Sequence, residues 1–356
     1  MRKTAWALLL IVAAAAIILI WRTWPRVPPP AAGPPVAQAA RHPAGPPSVT
    51  ISFVGDMMLA SRVGGLAAEH GTEWLFGGIS KALLSDDLTI GNLECAVATC
   101  GVRAAKKYTF RANPALLPGL RRGGIDAVSL ANNHALDYGR PALVETFKHL
   151  RAAGLPFAGA GESLAAAARP VVMSAGRERV ALVAASRVLP SGSWCAGADR
   201  PGIAPAYDPT RLLAEIRGAR SDADMVVAYL HWGTERAIRP QRYQRALARR
   251  CIEAGADLVV GAHPHVLQGF EYCGGRLIAY SLGNFVFNDR TPTTVILRTT
   301  FEGATLKRAE VIPCAVVGYR PRVMGDTAAR RRLLRSLEER SFGVRIADDG
   351  ALVPRR

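Results

Sequence analysis

Two histidines one residue apart, His263 and His265 in Gly261-Ala262-His263-Pro264-His265, follow the apolar run from Leu258 to Val260 and could share one metal ion. A run that short and β-branched has the character of a buried strand. The pair therefore sits at a strand's carboxyl end, the edge of an open α/β sheet where ligands bind. A lone H-x-H is a weak signal, because many loop histidines only form hydrogen bonds. Four other apolar runs end in the same way. They lead into Asp56, into Asn92 and Glu94, into Asn133 and His134 with Asp137 close behind, and into His231 with Glu235. Of the seven histidines, four lie at these strand ends, whereas His42, His70 and His149 do not. Scatter would not arrange them so, and the pattern points to one shared site.

Mixed nitrogen and oxygen donors suit zinc, manganese or iron better than calcium. One or two such ions are expected. A pair about 4 Å apart, bridged by Glu94 or a neighbour, would activate water and clamp a developing oxyanion. Asparagine donors such as Asn92 and Asn133 contribute neutral carbonyl oxygens, which leave the metal more Lewis-acidic and favour hydrolysis. His134 suits a general acid, with Asp137 orienting its ring and raising its pKa. Each residue also has a structural role open to it: Asp56 as a helix N-cap, Asn132 and Asn133 as turn formers, Asp137-Tyr138-Gly139 as a loop closure. Their joint placement favours function.

The elements that position these residues alternate. Helical stretches run from Pro141 to Ala153, from Pro209 to about Arg220 and from Pro240 to Ala254. Strands separated by helices imply βαβ units and a largely parallel sheet in an α/β fold. Further strands are expected over 179–185, 293–300 and 306–312, and an Arg-rich surface helix over 327–340. At the amino end, Met1-Arg2-Lys3 precedes an apolar run from Ala5 to Trp21, flanked by Arg22, Trp24 and Arg26. Its length and flanks suit a transmembrane helix within residues 1–24. A signal peptide cut near Ala37-Gln38-Ala39 is the rival, and either implies export. Residues 25–48, crowded with proline and alanine, would form an extended linker. The folded domain is expected over 49–320, with a basic extension over 321–356.

A chain of 356 residues is long enough for a large core, and its net charge of +17 favours anionic partners. No nucleic-acid motif is present, so no nucleic-acid partner is expected. Six cysteines permit disulfides, with Cys95 and Cys100 near enough for a small loop, but no C-x-x-C pair suggests a zinc ribbon or thioredoxin-like site.

At these residues the chain resembles the CapA family of poly-γ-glutamate capsule biosynthesis proteins, also called PgsA-type. The matching segments are Gly55-Asp56, Asn92-Leu93-Glu94, the run from Ser129 to Gly139, His231-Trp232-Gly233-Thr234-Glu235, the run from Gly261 to Gln268, and the run from Tyr280 to Phe285, in order across 49 to about 290. That family looks like a relative of the calcineurin-like metallophosphoesterases, which implies a metallophosphatase-like two-sheet α/β/β/α sandwich with a dinuclear metal site. The resemblance further implies that Asp56 and His265 serve one metal, that Asn133, His231 and His263 serve the other, that Glu94 bridges, and that His134 is the catalytic acid. Two departures stand out. Met58 occupies the position where such phosphoesterases usually carry histidine, and Asn92 with Glu94 stands in place of a bridging aspartate. Within the family's own pattern, Cys95 stands where glycine is common. The resemblance implies a single-pass membrane protein with its folded domain extracytoplasmic, handling the anionic polymer poly-γ-glutamate beside synthase and export subunits. Lys106, Arg111, Glu235 and Asn284 are the expected substrate contacts. A metal-dependent hydrolase of γ-glutamyl or phosphoester bonds and a non-catalytic polymer-binding subunit are both compatible with these residues.

Overall fold

Strand Val49–Met57 is buried at almost every position, as is Met225–His231, and each lies at the heart of one of two mixed sheets. Near-continuous apolar runs of this kind form strands covered on both faces. The computed structural model describes residues 48–289 and 291–355. The expected anchor and nearly all of the proline-rich linker lie outside the described residues. Among the described residues, no helix is long and apolar enough to cross a membrane.

The first sheet has eight strands. Its main path runs Arg320–Val323, Thr305–Val317, Thr293–Glu302, Val49–Met57, Leu88–Leu93, Ala127–Ser129 and Phe157–Ala158, and Asn284–Val286 pairs alongside Val49–Met57. The second has six: Phe270–Cys273, Arg276–Ala279, Leu258–Ala262, Met225–His231, Glu178–Ser186 and Val171–Ala175. The expectation of largely parallel pairing holds only at the two centres. Thr293–Glu302 and its neighbours are antiparallel meanders on one flank of the first sheet, and hairpin partners close both edges of the second. Short connections such as Gly303-Ala304 and Gly274-Gly275 join those pairs, too short for the crossover that parallel strands need.

Alternation along the strands sets the layers. Val227 and Tyr229 join Ile51, Phe53 and Val260 in one apolar core shared by both sheets. Val226 and Ala228 point the other way, under Leu212, Leu213 and Ile216 of helix Thr210–Ala219 and Leu247, Ala248 and Ile252 of helix Arg242–Glu253. Helices Ser61–His70, Leu117–Arg122 and Gly139–Ala152 pack into the cluster of the first sheet through Val63, Leu120, Leu143 and Phe147. A buried tyrosine ties the sheets: Tyr229 donates its hydroxyl to the Val54 carbonyl at 2.7 Å. Within the first sheet, Gly55 permits a close approach to the turn before Asn284–Val286, since a Cβ there would lie 1.9 Å from the Gly283 carbonyl oxygen.

Position 320, the expected end of the domain, lies in the edge strand Arg320–Val323. The helix that follows, Ala328–Arg340, begins at Thr327, whose hydroxyl accepts from the Arg330 N–H at 3.1 Å. It buries Leu334 and Leu337, while Arg331, Arg332 and Arg335 stay exposed. All six cysteines are free, Cys95 and Cys100 included.

Candidate metal centre

Strand register brings the first group of donors together. Asp56 lies beside Asn92 on one neighbouring strand and beside Asn284 on another. Asn92 donates to Asp56 Oδ1 at 2.8 Å and to Glu94 Oε2 at 3.1 Å. Its own carbonyl oxygen accepts from Asn132 at 3.0 Å. Asn92 thus spaces the two carboxylates instead of offering a metal the carbonyl oxygen that its place in the sequence suggests. Asn132, expected as a turn former, also donates to the Leu93 carbonyl at 2.8 Å and accepts from the His134 backbone at 3.0 Å. The Asn-Asn doublet was the available signal.

Three imidazoles face these groups from the second sheet. His231 ends its strand, and its Nε2 lies 2.8 Å from Asn133 Oδ1. His263 and His265 leave the next strand with φ of 96° and 57°, left-handed values that a non-glycine residue holds only when its surroundings impose them. His265 Nδ1 lies 2.8 Å from Asn284 Oδ1 and 3.4 Å from Asp56 Oδ2. Asn284 in turn donates to Asp289 at 2.8 Å. It therefore orients the His265 ring, a different role from the substrate contact expected of it.

Glu94 Oε1 is the centre of the cluster. It is buried, has no hydrogen-bond partner, and lies 3.8 to 3.9 Å from Nε2 of His134, His231 and His265. His263 Nδ1 is likewise buried and unpartnered. Buried polar atoms are nearly always satisfied, so two orphans in one cavity call for a missing partner. Nitrogen and oxygen donors around a tetrahedral zinc-like ion stand about 3.3 to 3.6 Å apart, close to these separations. Three sets of potential ligand atoms lie within 4.8 Å of one another: Glu94, His231 and His263; Asp56, Glu94 and His265; and Glu235, His263 and His265. Glu94 belongs to two of them, where a bridge between ions would stand. Met58 is buried, and its sulfur accepts from the Ala60 N–H, so it is packed away from ligand duty.

Burial dominates the electrostatics. It raises the Glu94 carboxyl well above its usual range, helped by the charge of Asp56. It would raise Asp56 too, but the hydrogen bond and charge of His265 and the amide of Asn92 outweigh it and hold that group low. Burial, with the neighbouring imidazoles, holds His231 well below its ordinary value and His263 at about 4. For His265 the charge of Glu94 and the contact with Asp56 overcome burial and lift it to about 10. His231 and His263 are thus neutral donors, and protons gather where the carboxylates need positive charge. A divalent cation would meet the same need.

The acid–base pair lies at the rim. His134 Nδ1 is 2.6 Å from Asp137 Oδ2, which leaves Nε2 facing the cavity. Burial nevertheless holds His134 below its ordinary value despite Asp137, contrary to the rise expected from the pairing alone. Lys106 donates to the Asn133 carbonyl at 2.6 Å and pairs with Asp137 at 2.7 Å, so it braces this pair from behind. Phe110 stacks on His134 with ring centres 4.3 Å apart, and Phe287 packs on His265 at 4.8 Å. Neither phenylalanine has a chemistry-bearing type that spacing would single out. Arg111 is not brought to the cluster: it donates to the Cys100 carbonyl at 3.2 Å and lies over the Tyr138 ring.

Comparison with known proteins agrees with this geometry. The family model described as bacterial capsule synthesis protein PGA_cap matches residues 50–289. The capsule biosynthesis protein CapA of Bacillus anthracis is 31% identical over 300 residues, which span 81% of this chain and 72% of that one. The PGA biosynthesis protein CapA of Bacillus subtilis is 31% identical over 311 residues, covering 85% and 81%. Among solved structures, a candidate 5'-nucleotidase of Staphylococcus aureus superposes with a TM-score of 0.50 at 14% identity, over 82% of this chain and 58% of its own. That likeness concerns the fold alone, an arrangement of mixed α/β sheets. With the family motifs gathered around one buried carboxylate, the chain belongs to the PGA_cap family of bacterial capsule synthesis proteins.

Proposed function

We propose that the protein is a metal-dependent hydrolase acting on an anionic cell-surface polymer of the poly-γ-glutamate type, carried on a membrane anchor with its folded domain outside the cytoplasm. The observation that carries this reading is Glu94 Oε1, buried and unpartnered among three imidazoles. Zinc, manganese or iron suits the donors Asp56, Glu94, Asn133, His231, His263 and His265, and such an ion, once bound, would supply Lewis acidity and an activated water. His134, held by Asp137 through Nδ1, presents Nε2 towards the cluster, where the doubly protonated ring would give its Nε2 proton to the leaving group and the neutral ring would take one from water. Lys106 holds the Asn133 backbone and the Asp137 carboxylate in register, while Phe110 covers one face of the His134 ring.

Elemental analysis of the full-length protein in detergent, with Glu94→Gln and His263→Ala beside it, tests the site. One or two equivalents of a transition metal, lost in both variants, support it, as does metal-dependent shortening of poly-γ-glutamate that fails in His134→Gln. Polymer retention without cleavage under any metal would replace the hydrolase with a polymer-binding subunit, a reading that the charge of +17 favours.

A further inference from the structure

Five non-glycine residues among those described have a left-handed φ, and three of them surround the metal centre: His263, His265 and Arg236, at 64°. Backbone strain of this kind persists where the surroundings impose it, and it concentrates at functional sites. For the histidines the reason is plain. Arg236 is neither a donor in the cluster nor part of the acid–base pair, yet it is held as firmly. Its backbone N–H donates to the carbonyl of Pro264, the residue between the two histidines, at 2.8 Å. Its guanidinium donates to Asp289 Oδ2 at 3.0 Å. The same oxygen accepts from Asn284, which holds His265. Arg236 also directly follows Glu235, whose carboxylate comes within reach of His263 and His265.

One nitrogen of the guanidinium is therefore anchored while the side chain stays 60% exposed. An exposed arginine ordinarily loses rotamer freedom when it binds an anion; this one has lost much of it already. A guanidinium offers five donors in a rigid fork that matches a carboxylate, and most of that fork is unused here.

We infer that Arg236 is the anion-recognition residue of the centre, taking a carboxylate that flanks the bond to be cleaved. This rests on the proposed function. In a γ-linked glutamate chain every residue keeps a free α-carboxylate, so each scissile amide has such a group beside it. Arg236 would then select a polycarboxylate over a chain of neutral amides.

Binding distinguishes this role without any turnover. Full-length protein loaded with metal is titrated calorimetrically with a γ-linked glutamate oligomer and with the same oligomer carrying α-carboxamides. The wild-type protein should prefer the carboxylate form by about tenfold or more, the size of one charge-assisted hydrogen-bonding group. Arg236→Gln should reduce that preference to near unity with metal content unchanged, and Arg236→Lys should restore only part of it. A preference that survives Arg236→Gln overturns the inference. So does loss of metal in that variant, which would make Arg236 a brace for Asp289 and His265. If the wild-type protein ignores both oligomers but binds inorganic phosphate in an Arg236-dependent way, anion recognition stands and the polyglutamate reading falls. Absence of any Arg236-dependent anion binding sinks the inference itself.

Discussion

Asp56, Glu94 and Asn133 reach the candidate metal centre from the eight-stranded sheet, whereas His231, His263 and His265 all leave the six-stranded one. The two halves are held by different means. On the oxygen side, amides from adjacent strands do the work, with Asn92 between the carboxylates and Asn132 behind it. On the nitrogen side, His263 and His265 leave their strand with left-handed backbone, and amides from the opposite sheet, Asn284 and Asn133, hold His265 and His231. Neither sheet carries a complete ligand set. An ion that binds both is thus a clamp across the interface, in addition to whatever chemistry it supplies.

That contrast predicts, first and largest, a stability set by metal and pH together. Metal at 100 to 1,000 times its dissociation constant should stabilise the folded state by about 3 to 4 kcal/mol, and chelation should remove this, as seen in urea unfolding. Once stripped, the nitrogen half should show two opposite pH responses. His263, at about 4 when folded against 6.5 ordinarily, leaves the unfolded chain binding the extra proton, so stability falls as pH drops from 6.5 towards 4. His265, raised to about 10, gives stability that is present below 6.5 and lost as pH climbs towards 10. A stripped protein with flat stability across that range would break the picture of two unequal halves.

The second prediction concerns the link between the halves. Asn284 lies on the first sheet and holds an imidazole from the second, so Asn284→Ala should weaken metal affinity about tenfold to a hundredfold, as loss of a ligand's supporting hydrogen bond does elsewhere. Metal titration with a competing chelator measures it, and an unchanged affinity would show that backbone alone aims His265. The smallest effect is expected away from the centre. Tyr229→Phe removes the cross-sheet hydrogen bond to Val54, should cost roughly 1 to 2 kcal/mol in unfolding free energy, and should leave metal affinity unchanged. If affinity falls as well, the docking of the sheets and the shape of the site are one property.

Much of the cluster was legible because a polar residue at the end of a buried strand leaves two marks, an apolar run and the polar residue at its close. Asp56, Glu94, Asn133, His231, His263 and His265 carry both and do converge. The division between sheets left no such mark, since a parallel strand reads alike in either. Nor does residue type reveal which way an amide is turned, and Asn92 turns its carbonyl to Asn132. Arg111 looked suitable beside Lys106, but its short strand pairs with Ala96–Val97 and carries the side chain onto Tyr138. Asp289 and Arg236 act through a chain of contacts that only folding assembles.

Gly55 supplies no ligand atom, yet it lies against the turn that leads into Asn284–Val286, its neighbour in the first sheet, and Asp56 directly after it donates its backbone N–H to Gly283 at 2.9 Å. No other side chain fits against that carbonyl. For the geneticist, codon 55 is thus as unforgiving as a codon for a ligand: every missense change there should behave as a null allele. A saturation library sorted by metal retention should return glycine alone.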